Sequence, residues 1–374
     1  MSTFHKVGRA ARHISNMVSR LPAFAAERAG IHFSPQWVCI AEQEGWSIAE
    51  DAKFVSGQLK MRGIKSSIVL RPDLISKNIL HYCSLHTYGL RRRAWAAEQN
   101  KHVLTCFHGD LGIDTQMDEQ LRQVLKDSDK LDALIVSCTR MKRRFLSWGM
   151  PEDKIHLIPL SIDPYVFRPD SKARAQVRRE LGIPSDAIVV GSFQKDGVGH
   201  EEGIEPKMIK GPDHFCDVVV RLSRSFPVVA LLTGPARGYV KNRLKREGVR
   251  YIHRHVDTIK KVARYYCALD LYLMTSREEG GPKSVLESLA SGTPFVGTDV
   301  GMVGDIVIHG ANGWVCSVGD LDALFEACKT VILDEGAKRR VQDAGLETIL
   351  SFSPDVIGQR YADLYRKIAQ QPRS

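Results

Sequence analysis

The sequence predicts an α/β fold of two domains, each with a parallel sheet covered by helices. The chain has 374 residues, which is more than one hydrophobic core usually holds. Short apolar segments bounded by turn residues alternate with amphipathic segments of helical period along most of the chain. Such alternation forms parallel sheets, which bind ligands at the carboxyl ends of their strands. Functional residues are therefore expected directly after the predicted strands.

The first domain is predicted over residues 31–165. Its expected strands are 37–41, 66–70 and the segments ILHYCSL, HVLTCFHGD and LDALIVSC, with helices over 47–62 and 118–125. His108 and Gly109 come just after the apolar segment VLTCF, at the edge of the sheet where ligands bind. A lone histidine at such a place is either a structural residue or part of a site.

The second domain is predicted over residues 166–352, with the same alternation. Its expected strands are 187–193, 228–234, 250–256 and 269–275, and a final amphipathic helix covers 353–367. Between the first two strands lies a long polar loop, QKDGVGHEEGIEPKMIKGPD, which contains Lys195, Lys207 and Lys210. A loop of this length in a compact domain is usually functional or disordered.

The most informative stretch is residues 276–292, SREEGGPKSVLESLASG, between the apolar segments LDLYLMT and FVGT. It predicts a strand, a loop, a helix and a second strand, which together make one βαβ unit. Pro282 suits the first helical position and Gly292 the position just past the end. Gly280 and Gly281 leave backbone N–H groups uncovered, and the helix start adds free donors and partial positive charge. This combination binds phosphate or sugar oxygens.

The helix in this stretch has two different faces. Val285, Leu286 and Leu289 share the face that a sheet would bury. The polar residues share the opposite face, which is either solvated or aimed along a cleft. They are Lys283, Ser284, Glu287, Ser288 and Ser291.

Glu279 and Glu287 stand on either side of seven residues, with Gly and Pro after the first and Gly-x-Pro after the helix. This pattern resembles the signature of retaining glycosyltransferases of family 4, also called glycosyl transferases group 1. The similarity continues through residues 298–315. It implies two Rossmann-like domains facing across a cleft, the B-type glycosyltransferase fold. Residues 31–165 would bind the acceptor, residues 166–352 the nucleotide-sugar donor, and residues 353–374 would cross back to the first domain.

The resemblance also implies roles for single residues. Glu279 would hold the sugar hydroxyls and Glu287 the ribose hydroxyls, because an ionised carboxylate accepts from two neighbouring hydroxyls. Lys210 matches the family's diphosphate clamp, and His108 would point toward the donor sugar. The family's clamp arginine is replaced by Ser192, and Lys195 and Lys207 lie nearby as substitutes. The remaining donor-binding residues implied are Gly191, Gly280, Gly281, Pro282, Lys283 and Val256.

Two departures keep a second interpretation open, a non-catalytic sugar-nucleotide-binding protein of the same fold. One is Ser192. The other is the segment EQEGW at 42–46, with a single glycine where the family often has a glycine-rich loop; its Glu42, Glu44 and Trp46 would instead line an acceptor pocket.

Signatures of other enzyme classes fit the sequence less well. Asp127-Ser128-Asp129 matches a metal-binding motif in letters but falls at the wrong end of the sheet. The spacing of Gly197, Gly199 and Gly203 does not match a dinucleotide fingerprint. Paired acids also occur in glycoside hydrolases, but such an enzyme leaves the lysine loop unexplained. No metal or cofactor is expected besides the donor substrate.

The net charge of +10 raises two alternatives, an anionic partner or solvated basic surfaces. Basic runs at 91–93, 142–144 and 338–340 would face an anionic membrane or polymer, or simply water; nucleic acid is not expected, because no nucleic-acid module is recognised. Apolar residues at helical spacing, with basic residues largely elsewhere, predict a basic amphipathic extension over residues 1–30. It would lie on a membrane or pack on the protein itself. Scattered cysteines, no secretory signal and no apolar run of spanning length predict a cytoplasmic protein. The basic extension leaves open a peripheral position at the inner face of the membrane.

Overall fold

The computed structural model describes residues 38–41, 47–69, 77–89, 100–112, 115–199, 201–256 and 258–371. The predicted extension at 1–30, the segment 42–46 and the basic run at 91–93 lie outside these ranges. No helix among the described residues is both long enough and apolar enough to cross a membrane.

Among the described residues, the first sheet has six parallel strands in the order β2-β1-β3-β4-β5-β6. The strands are β1 Val38–Ala41, β2 Ser66–Val69, β3 Ile79–Tyr82, β4 Lys101–Cys106, β5 Ala133–Val136 and β6 Ile155–Leu157. The helices of this part are α1 Ser47–Met61, α2 Leu85–Tyr88, α3 Thr115–Lys126 and α4 Thr139–Ser147. We call this part the N-terminal domain.

The second sheet is also parallel and six-stranded, in the order β12-β11-β10-β7-β8-β9. The strands are β7 Ile188–Phe193, β8 Val228–Thr233, β9 Arg250–Arg254, β10 Leu271–Met274, β11 Phe295–Thr298 and β12 Trp314–Cys316. The helices are α5 Ser171–Glu180, α6 Pro212–Ser223, α7 Gly238–Arg246, α8 Ile259–Cys267, α9 Lys283–Ala290, α10 Val303–Ile306, α11 Leu321–Leu333 and α12 Glu335–Thr348. We call this part the C-terminal domain.

The predicted α/β class with two parallel sheets is confirmed. Strands such as β4, β5, β8 and β10 are buried along their whole length, as expected for strands covered by helices on both faces. The main omission of the sequence prediction is β6, a three-residue edge strand inside the expected interdomain crossing. Only its first residue, Ile155, is buried, so its apolar signal is too short to distinguish a strand from a loop.

The last helix, α13 Pro354–Gln370, begins after Ser353, whose side chain accepts from the Val356 N–H. It packs on α1 of the N-terminal domain. Its Tyr365 hydroxyl forms a 2.7 Å hydrogen bond with Nδ1 of His81 in β3. At its end, Lys101 Nζ of β4 donates to the Ile368 carbonyl and, at 2.6 Å, to the Gln371 carbonyl. Helix α13 therefore lies against the N-terminal domain.

Candidate active site

The order of the second sheet locates the candidate site. β7 lies between β8 and β10, so the chain connections run in opposite directions on its two sides. A parallel sheet opens a ligand crevice at the carboxyl ends of the strands at such a switch point. Two loops leave the sheet there: residues 194–211 after β7, and residues 275–282 after β10. The first is the lysine loop of the sequence analysis, and the second carries Glu279, Gly280 and Gly281.

Lys210 and Glu279 meet between these two loops. Lys210 Nζ lies 2.6 Å from Glu279 Oε1, which also accepts from Ser276 Oγ at 2.9 Å. Both charged side chains are largely buried, with 25% and 14% of their surface exposed. Lys210 ends a short 3₁₀ turn, and the following Gly211 has φ +62°; a Cβ there would lie 1.9 Å from the Thr275 carbonyl oxygen. Glycine is therefore required where the two loops come together.

The lysine loop is folded rather than open. Gly197 and Pro206 form an antiparallel bridge, and the Lys207 N–H donates to the Asp196 carbonyl at 2.7 Å. Burial, followed by the charges of Lys210 and Lys195, lowers the pKa of Lys207. Lys207 is thus close enough to Lys195 and to Lys210 to be repelled by both, which is the arrangement expected of a site for a multiply charged anion.

Arg237, which lies in no recognised sequence motif, organises the base of this loop. Its guanidinium is fully buried and pairs with the equally buried Asp196 at 2.9 Å. It also donates to the Ser192 carbonyl at 2.6 Å and to Ser192 Oγ at 3.1 Å. An arginine 45 positions away in the chain therefore contacts both the backbone and the side chain of Ser192, which stands where the resembled family has an arginine. Nothing in its local sequence, GPARGY, marks it for this role.

The glycines after Glu279 allow the N-terminal domain to come close. A Cβ on Gly280 would lie 1.8 Å from the Phe107 carbonyl oxygen, and one on Gly281 would lie 2.6 Å from Leu160. We expected glycine here for the approach of a ligand, but its immediate neighbour is the other domain. Among the described residues, the backbone N–H groups of Gly280, Gly281, Lys283 and Ser284 have no acceptor. These four free donors at the start of α9 are suited to oxyanions.

His108 reaches the same place from the N-terminal domain. It follows β4, and Cβ of its side chain would be 2.8 Å from a Cβ on Gly280. Burial lowers the pKa of His108, and the nearby Lys210 and Lys207 lower it further, while Glu279 and Glu278 oppose them. The structure therefore brings His108, Lys210 and Glu279 together, although each comes from a different segment of the chain.

Helix α9 differs from expectation at its start and on its polar face. Pro282, with ψ 101°, is the N-cap residue, so the helix starts one residue later than predicted. Ser288, expected on the open face, is fully buried and donates to the Thr293 carbonyl at 2.9 Å; Ser291 is also buried. Lys283 forms a 2.5 Å ion pair with Asp51 of α1, across the domain boundary.

Glu287 lies half-buried in the middle of α9. Its Oε2 accepts from the hydroxyl of the buried Tyr266 at 2.9 Å. Burial raises the pKa of Glu287, and the Tyr266 hydrogen bond and the charge of Lys283 act in the opposite direction. A carboxylate with one bond to a buried hydroxyl is held in a fixed orientation and keeps further acceptor positions for a ligand.

Two predicted donor-binding residues lie apart from this cluster. Gly191 is inside β7 rather than after it, and a Cβ there would be 2.2 Å from Leu269, so packing alone requires a glycine there. Val256 lies two residues beyond β9, the edge strand, and is partly exposed.

The alternative metal motif is a structural turn. Asp127 is buried and its Oδ2 accepts from the Tyr88 hydroxyl at 3.2 Å and from Gln123 Nε2 at 3.0 Å. Within the described ranges, no group of three or more His, Cys, Asp or Glu side chains is arranged to hold a metal ion.

Comparisons with known proteins agree with this geometry. Residues 203–334, which include the Lys210–Glu279 pair, match the family model described as glycosyl transferases group 1. A D-inositol 3-phosphate glycosyltransferase of Xylanimonas cellulosilytica is 25% identical over 256 residues, which are 64% of this chain and 58% of the relative. The lipopolysaccharide core biosynthesis mannosyltransferase LpsB of Rhizobium meliloti is 27% identical over 218 residues, 55% of this chain and 59% of the relative. The chain thus spans less than two thirds of the length of these curated relatives.

The fold is also that of solved glycosyltransferase structures. The crystal structure of HepE from Anabaena in complex with UDP-glucose superposes with a TM-score of 0.74 at 16% identity, covering 89% of this chain and all of the other. Together with the site geometry, these matches define the class: the protein has the B-type glycosyltransferase fold. The predicted resemblance to the glycosyl transferases group 1 is confirmed as well, by the family model over residues 203–334 and by the curated relatives.

Proposed function

We propose that this protein is a retaining glycosyltransferase that transfers a sugar from a nucleoside-diphosphate sugar to a saccharide or lipid-linked acceptor. The observation that carries the proposal is the Lys210–Glu279 contact at the switch point of the second sheet, beside four backbone N–H groups that have no acceptor among the described residues. Cations and free donors next to a carboxylate are suited to a ligand that joins a diphosphate to a polyhydroxylated ring.

The proposed work of the enzyme is to stabilise the charge that develops on the leaving diphosphate. Lys210, with Lys195 or Lys207, and the amides of Gly280 and Gly281 would receive that charge. Because these donors are already positioned before the reaction, they stabilise the transition state without reorganisation. Since lysines supply the positive charge, we propose that no metal ion is needed for this step.

Glu279 and Glu287 would position the two ends of the donor. Glu279 would accept hydrogen bonds from the sugar hydroxyls, next to the anomeric carbon whose bond to the diphosphate breaks. Glu287, held by Tyr266, would accept from the ribose hydroxyls. Retention follows if the acceptor hydroxyl attacks on the face from which the diphosphate leaves, with His108 beside that face. The burial that lowers the pKa of His108 would keep the imidazole neutral at pH 7.

The acceptor class is inferred from the relatives. LpsB is named for lipopolysaccharide core biosynthesis, and a matched relative from Erwinia amylovora for amylovoran biosynthesis, so we propose a role in saccharide assembly. The cytoplasmic location and the contact with an anionic membrane stay predictions, as does the absence of a nucleic-acid partner.

A ligand screen followed by a product assay tests the proposal. The melting temperature would be measured with nucleoside diphosphates and their sugar conjugates, in EDTA and then in magnesium. A ligand that binds only the folded state raises the melting temperature by mass action. We expect one sugar nucleotide to do so equally in both buffers, and to yield a glycosylated product whose anomeric configuration, read by NMR, matches the donor.

A matched pair of variants checks the assigned clamp. Lys210→Ala should weaken binding of the nucleoside diphosphate by about tenfold or more, since a lost charge-assisted bond costs roughly 1.5–3 kcal/mol, while nucleoside binding stays unchanged. Lys245→Ala, an exposed residue on α7, is the control. A melting shift without product under any condition would favour the non-catalytic binding protein instead.

A further inference from the structure

One arginine links the loops that carry the three candidate catalytic residues. Arg144 lies in α4 of the N-terminal domain, and its partner Glu278 directly precedes Glu279 in the C-terminal domain. Arg144 Nη1 donates to Glu278 Oε1 at 2.7 Å, and Nη2 donates to Oε2 at 3.2 Å. Only 16% of the arginine side chain and 13% of the glutamate side chain are exposed. The pair is therefore bidentate, shielded from water, and spans the two domains.

The same guanidinium also holds the loop that follows β4. Nη1 donates to the Gly109 carbonyl at 2.9 Å, and Nη2 lies 2.9 Å from Asp110 Oδ2. Gly109 and Asp110 are the two residues after His108. Both terminal nitrogens of Arg144 thus contact both domains at once.

A third link runs from Glu278 to the turn that carries Lys210. The N–H groups of Arg277 and Glu278 donate to the Ile209 carbonyl at 2.8 and 3.3 Å. Ile209 directly precedes Lys210. Each of His108, Glu279 and Lys210 is therefore a chain neighbour of a residue in the Arg144 network.

We propose that Arg144 is a positioning residue, which fixes His108 relative to Glu279 and Lys210 across the domain boundary. This inference rests on the proposed glycosyltransferase function. The planar guanidinium fixes two directions and two distances at once, whereas a lysine ammonium holds one point. Because Gly280 is already packed against the Phe107–His108 backbone, a small rotation of either loop changes the distance between His108 and the donor sugar.

The test compares Arg144→Lys with Arg143→Lys. Arg143 lies next to Arg144 on α4, is exposed, and has no side-chain partner among the described residues. Misplacement of reacting groups by about 1 Å costs on the order of 100-fold in rate, so Arg144→Lys should lower kcat by about 100-fold. The KM for the donor should change by no more than about threefold, because the donor is proposed to bind the C-terminal domain and Arg144 belongs to the N-terminal domain. Arg143→Lys should behave as the unmodified protein.

The kcat and KM values separate positioning from simple destabilisation. If Arg144→Lys matches Arg143→Lys in kcat, or lowers activity only in proportion to the folded fraction measured by circular dichroism, the proposal is overturned. Glu278→Gln provides an independent route to the same loss. If the residues act through each other, the double variant Arg144→Lys/Glu278→Gln should lose little more than the worse single variant, whereas additive losses would contradict the proposal.

The outcome also distinguishes this inference from the proposed function. If the unmodified protein and Arg143→Lys form no product with any donor that they bind, the transferase function fails and the role of Arg144 in it fails as well. If both form product and Arg144→Lys does so at the same rate, only the positioning role is wrong.

Discussion

On the C-terminal side of the domain boundary, the candidate residues come from two loops at one switch point, and both loops are braced from within that domain. Arg237 holds the lysine loop, Tyr266 holds Glu287, and Ser276 holds Glu279. On the N-terminal side, the described part of the chain contributes His108, whose loop is braced by Arg144 and by contact with Gly280. The C-terminal loops thus have supports within their own domain, in addition to the contacts of Glu278 and Gly280 with the N-terminal domain, whereas Arg144, which holds the loop of His108, is itself paired across the boundary. Substitutions on the first side should alter donor binding and domain stability, and substitutions at the junction should alter turnover.

The strongest test of the C-terminal side is Glu279→Ala. It removes the carboxylate proposed to hold the donor sugar, and it frees Lys210. Loss of one preorganised group typically costs about 100- to 1,000-fold, so we expect kcat/KM to fall by about 1,000-fold with circular dichroism unchanged. Steady-state kinetics on purified variants measure this. Glu201→Ala, which changes an exposed acid of the lysine loop, is the control. Near-normal turnover by Glu279→Ala would contradict the assignment of the active site.

Arg237→Met tests whether the lysine loop is braced from within its own domain. The change leaves Asp196 buried without its partner, which typically costs at least about 3 kcal/mol. We expect the free energy of unfolding of the C-terminal domain, measured by urea denaturation, to fall by about that amount. Adding Asp196→Leu should recover most of the loss, because it removes the unpaired buried charge. A single variant as stable as the unmodified protein would contradict the bracing role.

Acid should destabilise the N-terminal domain at a higher pH than the C-terminal domain. Burial lowers the pKa of His81 to about 3 and that of His102 to about 4, both in the N-terminal sheet. In the unfolded chain the two histidines take up these protons near pH 6.5. Their contribution to the free energy of unfolding of the N-terminal domain is therefore fully present above pH 6.5 and is lost as the pH falls toward 3. The slope is about 1.4 kcal/mol per pH unit for each histidine. In the C-terminal domain burial raises the pKa of Asp196 and Glu287, so protonation of these two groups does not destabilise the fold in acid. Burial lowers the pKa of His253 in that sheet, but this side chain is only partly buried and its hydrogen bond to the Gly234 carbonyl acts in the opposite direction.

Hydrogen exchange read by mass spectrometry between pH 4.5 and 7 measures this difference by domain. Exchange rates must first be corrected for intrinsic pH dependence. Peptides from β3 and β4 should lose protection at higher pH than peptides from β8 and β10. His81→Gln should weaken the pH dependence of β3. Equal loss of protection in both sheets would show that other groups govern acid stability.

Tyr266→Phe tests the support of Glu287 within the C-terminal domain, and its expected effect on the kinetics is the smallest of the four. It removes the hydroxyl that orients Glu287 and leaves the buried ring in place. A hydrogen bond to a carboxylate contributes roughly 1.5 kcal/mol, so the KM for the donor should rise by about tenfold with kcat nearly unchanged. Tyr265→Phe, its neighbour on α8, is the control. A fall in kcat at constant KM would instead connect Glu287 to the chemical step.

The part of the site that lies within one βαβ unit was predictable because its signals are local. Glu279, Gly280 and Gly281 were assigned from a strand, two glycines and a helix within 24 residues, and Gly292 indeed follows the end of α9 with φ +64°. The sequence prediction was wrong or incomplete where a side chain's environment depends on a distant element. Gly191 packs against Leu269, and Ser288 is buried against the turn into β11. Helical spacing places a residue on a face, but it does not reveal what covers that face.

The sequence by itself therefore determined the fold class, the family pattern and the loop that holds Glu279, because each depends on residue order over a short stretch. Only the tertiary structure decided which groups meet. Lys210 contacts Glu279 across 69 positions, and Arg144 contacts Glu278 across 134. Such contacts depend on how the two sheets are ordered and how the domains pack, and the cost of closing such long loops rises only slowly with their length. Sequence separation therefore carries almost no information about these partners, whereas the packed carboxyl ends of the strands specify them.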